Sequence, residues 1–158
     1  MTERRASEPG YKAPDISLIG KEHVRKYLET NGEIGYIWNG VPILVMTTIG
    51  HKSGSPRQHA IIFSRDGDNY VVIASRGGAP EHPKWYLNLS AHPRVQLQIK
   101  DKKIDAIART AESPERERLW ANAAKEWPNY DVYVTRTARR IPVVVLEPLR
   151  GQSSRDGA

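Results

Sequence analysis

Residues 41–62 read VPILVMTTIGHKSGSPRQHAII, in which an apolar run passes through a turn of glycine, serine and proline into a second apolar run. Such runs, bounded by residues that favour turns, are typical of β-strands. A third run, YVVIASR at residues 70–76, follows the turn DGDN at residues 66–69. We therefore predict an antiparallel three-strand meander. The first and third runs are apolar on both faces, which indicates strands buried on both sides, as in a closed or half-closed barrel.

The rest of the chain predicts helices and further strands around this meander. An amphipathic helix over residues 21–30 ends at Asn31-Gly32, a typical helix C-terminus. Ser113 is predicted to cap a helix with Pro114 at its first position. The fold class is therefore mostly β, a largely antiparallel six-stranded barrel with packed helices. The other predicted elements are a short helix within residues 82–93, a hairpin of RVQLQIK (94–100) and KIDAIART (103–110), a helical or turn-rich piece carrying Tyr130 and Tyr133, and a sixth strand in RIPVVVLEP (140–148).

Length and composition set limits on organisation and location. The 158 residues suffice for one domain, predicted at residues 19–150, with a flexible leader at 1–18 and a flexible tail at 151–158. The net charge of +6 favours anionic partners. The absence of cysteine and of a signal-peptide segment favours a cytoplasmic protein. The five histidines lack the spacing of metal ligands, so no metal is predicted.

The turn GHKSGSPR at residues 50–57 concentrates cationic side chains beside flexible backbone. Turn amides form anion-binding concavities, while Lys52 and Arg57 supply charge and directed hydrogen bonds. The order of the glycines and Lys52 differs from that of a nucleotide-binding P-loop. An anion cradle and a solvated hairpin turn with ordinary surface cations are both compatible with this composition.

The segment SRGGAPEHPKWYLN at residues 75–88 runs from a strand through two glycines into a helix. A helix N-terminus attracts anions, and aromatic side chains beside it offer a flat surface to a ring system. The alternative is that Trp85 and Leu87 belong to the core and that the glycines only form a loop. In a meander this segment and the turn at 50–57 lie at one edge, so we expect them to meet.

A third segment, WPNYDVYVTRTARR, spaces Trp127, Tyr130 and Tyr133 closely enough to share a helical face. Tyrosines at the mouth of a pocket can pack an aromatic substrate and donate a proton. They can equally form an aromatic core stripe with surface hydroxyls. No nucleophile motif is present, and this profile is expected where a bound cofactor carries the chemistry.

Together these segments resemble the deazaflavin-dependent nitroreductases of actinobacterial type, also described as quinone reductases. The combination of GxK[ST]GxPR with GGAxxxPxWYxNLxxxP is specific to that resemblance. The family uses coenzyme F420, an 8-hydroxy-5-deazaflavin, on a split β-barrel of flavin-reductase type. The matching blocks are TTIGHKSGSPR, FSRDGD, SRGGAPEHPKWYLNLSAHPRVQLQI, ERLW, PNYDVY and IPVVVLEP, in the family's order and spacing from about residue 41 to 148.

The resemblance implies an oxidoreductase that transfers a hydride from C5 of reduced F420 to a quinone-like, nitroaromatic or other electron-poor acceptor. It implies that Ser75, Tyr130 and Tyr133 border the substrate and donate hydrogen bonds or protons to it. The residues implied to contact the cofactor are His51, Lys52, Ser53, Arg57, Gln58, His59, Ala60, Ile61, Ile62, Ile73, Ala74, Ser75, Arg76, Lys84, Trp85, Tyr86, Leu87, Asn88 and Tyr130.

One departure from the family pattern bears on the acceptor. Family members often carry Asn-Pro-Leu-Tyr after the PR pair, whereas residues 58–62 here read QHAII, so an aromatic wall becomes aliphatic. The partners implied are the anionic cofactor and a small electron-poor substrate, with peripheral membrane contact, no nucleic acid, and a monomer or homodimer. Two alternatives remain: flavin mononucleotide (FMN) as cofactor, used by related split barrels, and a basic nucleic-acid-binding barrel.

Overall fold

The computed structural model describes residue 11, residues 13–15 and residues 17–149 of the chain. Within them lie four α-helices, eight β-strands and one 3-10 turn. In chain order these are α1 (Gly20–Thr30), β1 (Ile37–Trp38), β2 (Val41–Ile49), β3 (Pro56–Ile62), β4 (Ser64–Asp66), β5 (Asn69–Ile73), the 3-10 turn (Arg76–Gly78), α2 (Lys84–Ala91), β6 (Arg94–Ile99), β7 (Lys102–Thr110), α3 (Glu115–Glu126), α4 (Asn129–Val134) and β8 (Val143–Pro148).

The strands form one curled sheet in which every pairing is antiparallel. Its order is β1-β2-β6-β7-β8-β5-β4, and β3 pairs with β2 in addition. The register between β2 and β3 runs from Ile43 opposite Ile62 to Ile49 opposite Pro56. The prediction of a mostly antiparallel split barrel with packed helices is confirmed. The six predicted strands are all present, and the short β1 and β4 are additional.

Three apolar clusters explain why β2 and β5 are apolar on both faces. Leu44 and Met46 of β2 point into the barrel, where they pack in the central core. The alternate residues Ile43 and Val45 pack under α1. On β5, Val72 faces the central core while its neighbours on the opposite face meet α3 and α4. Strands covered on both sides read as continuous apolar runs, as the sequence indicated.

Among the buried side chains of helix α1, Tyr27 forms hydrogen bonds to the strands of the barrel. The Tyr27 hydroxyl donates to the carbonyl oxygen of Ile43 at 2.9 Å and accepts from the backbone N–H of Lys100 at 2.8 Å. Burial raises the pKa of Tyr27 to about 12. The helix ends at Asn31, whose φ of 51° is left-handed, as the Asn-Gly pair predicted. Tyr27 thereby sets where α1 lies over β2.

The predicted meander is wrong at its second strand. The run QHAIIFSR breaks at Phe63, so that β3 stays with β2 while β4 pairs with β5. The other side of β5 pairs with β8 rather than with β3. The barrel is therefore not closed by hydrogen bonds between β3 and β5. Residues of both strands line a cavity that is described below.

Two further expectations concern the ends of elements. The Ser113 side chain does not cap α3: its hydroxyl donates to the Glu117 carboxylate at 2.8 Å, and Pro114 occupies the N-cap position. The predicted leader lies partly outside the described residues. Its described part contacts the domain, because the Trp38 indole N–H donates to the Asp15 carbonyl at 3.1 Å. The tail at 151–158 lies outside the described residues, and no described helix is long and apolar enough to cross a membrane.

Candidate active site

A cationic cavity of about 270 Å³ lies between the turn at residues 50–57 and the start of α2. Three of its side chains, Lys52, Arg57 and Lys84, are cations, and no carboxylate lines it within the described residues. None of the three makes an ion pair there, whereas Arg76, Arg94 and others do. Like charges held together without a counter-ion attract a polyanion. We call this the cationic cavity; its lining is Gly50, His51, Lys52, Ser53, Arg57, His59, Lys84 and Asn88.

Two glycines allow the turn to close tightly. The Gly50 N–H donates to the Ser55 carbonyl at 2.8 Å, and the Gly54 N–H donates to the Gly50 carbonyl at 2.9 Å. A Cβ added at Gly50 would lie 2.5 Å from the Ser53 hydroxyl, and Gly54 has a φ of +72°. The backbone N–H groups of Lys52 and Ser53 have no acceptor among the described residues. Amides without an acceptor beside cations are what an anion cradle requires, and anion binding by this turn stays a prediction.

Asn88 joins the turn to α2. Its side-chain oxygen accepts from the His51 backbone N–H at 2.9 Å and lies 2.8 Å from the His51 ring Nδ1. Its side-chain nitrogen donates to the Thr48 hydroxyl at 3.0 Å. Asn88 is 3% exposed, so these bonds are made away from solvent. The expectation that the two segments meet is confirmed, and the amide of Asn88 is the group that holds them together.

An apolar cavity of about 320 Å³ adjoins the cationic one. Consecutive residues line the two cavities in two places. On β3, His59 lines the cationic cavity and Ala60 the apolar one. At the start of α2, Lys84 lines the cationic cavity, and its neighbours Pro83 and Trp85 line the apolar one. We call this the apolar cavity. Its lining is Ile19, Gly20 and His23 around the start of α1, Trp38 and Ile43 of β1 and β2, Ala60, Ile61 and Ile62 of β3, Ile73, Ser75, Arg76 and Gly77 after β5, Pro83 and Trp85, and Trp127, Tyr130 and Tyr133.

The tyrosines of α4 form one wall of the apolar cavity. Tyr130 and Tyr133 stand edge to face with ring centroids 6.2 Å apart. The Tyr133 hydroxyl accepts from the Trp127 indole N–H at 3.3 Å, whereas the Tyr130 hydroxyl has no hydrogen-bond partner among the described residues. Burial first, and then the neighbouring Tyr133, raise the pKa of Tyr130 well above its usual range. These side chains belong to the core and also line the cavity. Their contact with a substrate stays a prediction.

Arg139 holds the segment that carries Ser75. Its guanidinium donates to the carbonyl oxygens of Ser75 at 2.7 Å, Ala79 at 2.8 Å and Ala74 at 3.2 Å. It also lies 3.0 Å from Nδ1 of His82. Three carbonyls from one loop converge on this side chain, so it fixes the backbone that places Ser75 at the cavity. Sequence analysis missed Arg139, because nothing local to residue 139 indicates a contact 60 positions earlier.

The match to known proteins decides the family. Residues 19–148 match the family model described as F420H(2)-dependent quinone reductase. The chain belongs to this family. It is therefore an oxidoreductase whose reductant is F420H2, the reduced deazaflavin, rather than an FMN-dependent enzyme or a nucleic-acid-binding barrel. The membership confirms the resemblance seen in the sequence.

This F420H2-dependent quinone reductase is similar to several known sequences and solved structures. It is 40% identical over 131 residues to an F420H(2)-dependent quinone reductase of Mycobacterium tuberculosis strain H37Rv, covering 78% of this chain and 86% of the relative. A solved F420-H2 dependent reductase is 42% identical, covers 67% of this chain and 94% of its own, and superposes with a TM-score of 0.63. A structure described as a domain-swapped dimer is 38% identical, covers 80% of this chain and 96% of its own, and has a TM-score of 0.66.

The reductase cavities fit the cofactor on two observations. The cationic cavity offers three cations and turn amides that have no partner within the described part of the chain, and these suit the phosphate and acidic tail of F420. The apolar cavity offers aliphatic and aromatic walls, which suit a ring system. Of the residues expected at the cofactor, seven line the cationic cavity: His51, Lys52, Ser53, Arg57, His59, Lys84 and Asn88. A further eight line the apolar one: Ala60, Ile61, Ile62, Ile73, Ser75, Arg76, Trp85 and Tyr130.

The structure places four expected residues in neither cavity. Ala74 is fully buried, and the Tyr86 hydroxyl lies 2.8 Å from that of Thr110. Leu87 and Gln58 are exposed, Leu87 on the outer face of α2 and Gln58 on β3. Their neighbours in sequence do reach the cavities, because only part of a helix or strand faces one side. Their contact with the cofactor stays a prediction.

Conversely, several cavity residues were not expected from the sequence. Trp38 is brought to the apolar cavity by β1, and its ring lies 5.4 Å from that of Trp127. His23 lies on the buried face of α1 with Val24 and Tyr27. In the sequence, the position of His23 on the apolar face of the predicted helix was the feature that could have indicated a role for it.

The reductase should lose stability in mild acid through His59. Burial, and secondarily Arg57, lower the pKa of His59 from 6.5 to about 4. The folded state therefore disfavours the imidazolium, so this contribution to the free energy of unfolding is complete above pH 6.5 and is lost as the pH falls toward 4. We expect His59→Gln to reduce the difference in unfolding free energy between about pH 7 and about pH 4.5, measured by urea denaturation. An unchanged difference would contradict the buried neutral imidazole.

Proposed function

We propose that this F420H2-dependent quinone reductase binds the anionic part of its cofactor in the cationic cavity and brings the deazaflavin ring and the acceptor together in the apolar cavity. The observation that carries the proposal is the junction of the two cavities. One strand, β3, and the start of α2 line both, so a single ligand can reach from one into the other.

The cationic cavity would hold charge rather than perform chemistry. Lys52, Arg57 and Lys84 would hold the phosphate and acidic tail, with the amides of the turn completing the cradle. Asn88 keeps the turn against α2 and so keeps these cations in place. When bound, the reduced cofactor supplies a hydride from C5 of its deazaflavin.

The apolar cavity would exclude water from the acceptor and direct hydrogen bonds to it. Negative charge develops on the oxygen of an acceptor as it is reduced, and preorganised donors stabilise that charge. The hydroxyls of Ser75, Tyr130 and Tyr133 are donors that line this cavity. Tyr130 stays protonated because burial raises its pKa, so it can donate a hydrogen bond at any physiological pH.

The wall of β3 favours a quinone over a nitroaromatic acceptor. Ile61 and Ile62 give the cavity an aliphatic wall, in the part of the chain where family members often carry an aromatic residue. Aliphatic walls suit an apolar ring without demanding a stacking partner. Nitroaromatic compounds should therefore be reduced more slowly than quinones of similar size.

Turnover measurements test the proposed function. Purified protein should oxidise F420H2 in the presence of a water-soluble quinone, followed by recovery of the absorbance of oxidised F420. Reduced FMN at the same concentration should give no enzyme-dependent rate. Quinone-independent oxidation only, or equal rates with reduced FMN, would overturn the proposal. The homodimer, suggested by the domain-swapped relative, is checked on the same sample by sedimentation.

A further inference from the structure

His23 is a buried histidine that the roles assigned above do not use. It lies on α1, is 4% exposed, and lines the apolar cavity. The ring lies beside Trp38, with ring centroids 6.4 Å apart. A histidine in an apolar wall requires a physical reason, since burying a polar group without a partner costs free energy.

Contact with Gly35 fixes the orientation and the tautomer of the ring. Nε2 lies 2.8 Å from the carbonyl oxygen of Gly35. A carbonyl only accepts, so Nε2 carries the hydrogen. A Cβ added at Gly35 would lie 3.0 Å from Cδ2 and 3.1 Å from Nε2 of His23, and the φ of +104° there requires glycine. The Cδ2–Nε2 edge is therefore held against the backbone of residue 35.

The other ring nitrogen is available to a ligand. Nδ1 lies across the ring from the edge that contacts Gly35, and it has no hydrogen-bond partner among the described residues. It is also absent from the buried polar atoms that lack a partner, so it retains accessible surface. His23 lines the apolar cavity, and Nδ1 is the ring nitrogen that Gly35 does not hold.

If the acceptor is reduced in this cavity, as the proposed function holds, the reaction needs a proton source there. Hydride addition to a quinone leaves a hydroquinone monoanion, which one proton converts to hydroquinone. The neighbouring groups are poor sources. Burial holds the proton on Tyr130, and Arg76, the only charged side chain among the described lining residues, does not deprotonate in proteins. Serine and tyrosine hydroxyls are weaker acids than imidazolium.

We propose that His23 is a catalytic residue that donates the proton from Nδ1 to the oxygen of the reduced quinone. In the imidazolium form Nε2–H stays bonded to Gly35 while Nδ1–H faces the substrate. The proton passes to the oxygen, which forms the O–H bond, and the neutral imidazole regains a proton from water. The balance is one quinone, one hydride from F420H2 and one proton giving one hydroquinone.

Among the described residues that line the cavity with His23, none is a carboxylate that would accept its proton in place of the substrate. The 3-10 turn presents Arg76, and α4 presents Tyr130 and Tyr133. From β3 the facing residues, Ala60 to Ile62, are apolar, and β1 presents Trp38. No carboxylate lines the cavity within the described residues, so none competes for Nδ1.

Kinetics of His23→Ala and His23→Gln test the proposal. We expect kcat with a soluble quinone to fall about 100-fold, the usual size of a general-acid contribution, while the dissociation constant for oxidised F420 changes less than about twofold. Added imidazole should restore activity to His23→Ala. His92→Ala, an exposed histidine at the end of α2, is the matched control and should behave as wild type.

Two outcomes would overturn the role of His23. The first is a His23→Ala enzyme that turns over at the wild-type rate. The second is a loss of activity that imidazole does not restore in a variant that melts like wild type. Absence of turnover in wild type would instead contradict the proposed function.

A spectroscopic measurement on the wild-type protein covers the case in which the variants do not fold. Imidazole ¹⁵N spectra should show the Nε2–H tautomer of His23 and a shift of Nδ1 when a quinone is added without cofactor. The Nδ1–H tautomer, or an Nδ1 that does not respond to the quinone, would overturn the proposal.

Discussion

Replacing Lys52 and Arg57 together with alanine should weaken binding of oxidised F420 by about 100-fold. Both cations line the cationic cavity without an ion pair among the described residues. A charge-assisted hydrogen bond contributes about 1.5–3 kcal/mol, and partial exposure favours the lower value, so two sum to about 3 kcal/mol. That free energy corresponds to about two decades in the dissociation constant. Titration of the cofactor fluorescence with protein measures it.

A second double variant separates local contacts from overall charge. Lys102→Ala with Lys103→Ala removes the same two positive charges from exposed positions on β7, which lines neither cavity. We expect its dissociation constant to lie within about threefold of wild type, since screening weakens distant exposed charges. Equal weakening in the two double variants would mean that net charge alone attracts the cofactor.

Gly78→Ala, next to the cavity residue Gly77, should be strongly destabilising. Gly78 has a φ of +84°, and a Cβ there would lie 2.9 Å from both the carbonyl oxygen of Tyr133 and the Cβ of Arg136. A backbone oxygen cannot move aside as a flexible side chain does, so the 3-10 turn and α4 must separate. Left-handed strain and overpacking together should lower the free energy of unfolding by about 2–4 kcal/mol. Separation would also displace Tyr133 and lower kcat/KM.

Gly77→Ala is the matched control for the backbone effect. Gly77 also has a positive φ, +63°, but a Cβ there would meet nothing within 4 Å. We expect a loss of only about 1 kcal/mol from conformational strain. Urea denaturation of the two variants gives the comparison. If Gly78→Ala were no more destabilising than Gly77→Ala, the close packing of the 3-10 turn on α4 would not contribute to stability.

Local sequence patterns were enough to predict those parts of the structure in which the interacting residues are close in sequence. The turn at 50–57 was predicted from its glycines and cations, and the structure closes it through bonds within residues 50–55. Helix α1 was predicted from its apolar spacing and from the Asn31-Gly32 pair. In both, the decisive interactions span a few residues, which is the range that composition and periodicity report.

The remaining features depend on contacts between distant residues. The break at Phe63 is set by β4 pairing with β5 and by the bond from the Phe63 N–H to the Pro42 carbonyl, 21 positions earlier. Arg139 and His23 reach the site through the fold. Arg139 lies in the segment WPNYDVYVTRTARR, but its spacing there gave no sign of a role, and His23 lies in none of the segments quoted for the site. Sequence alone therefore indicated the cationic cavity well and the apolar cavity incompletely.

The location of the bound cofactor tests the central claim most directly. A crystal structure of the protein with oxidised F420 should show the phosphate and acidic tail within hydrogen-bond distance of Lys52 and Arg57, and the deazaflavin ring in the apolar cavity beside Ile62 and Ile73. Cofactor density outside these two cavities, for example in the separate cavity beside Arg65 and Glu126, would contradict the account.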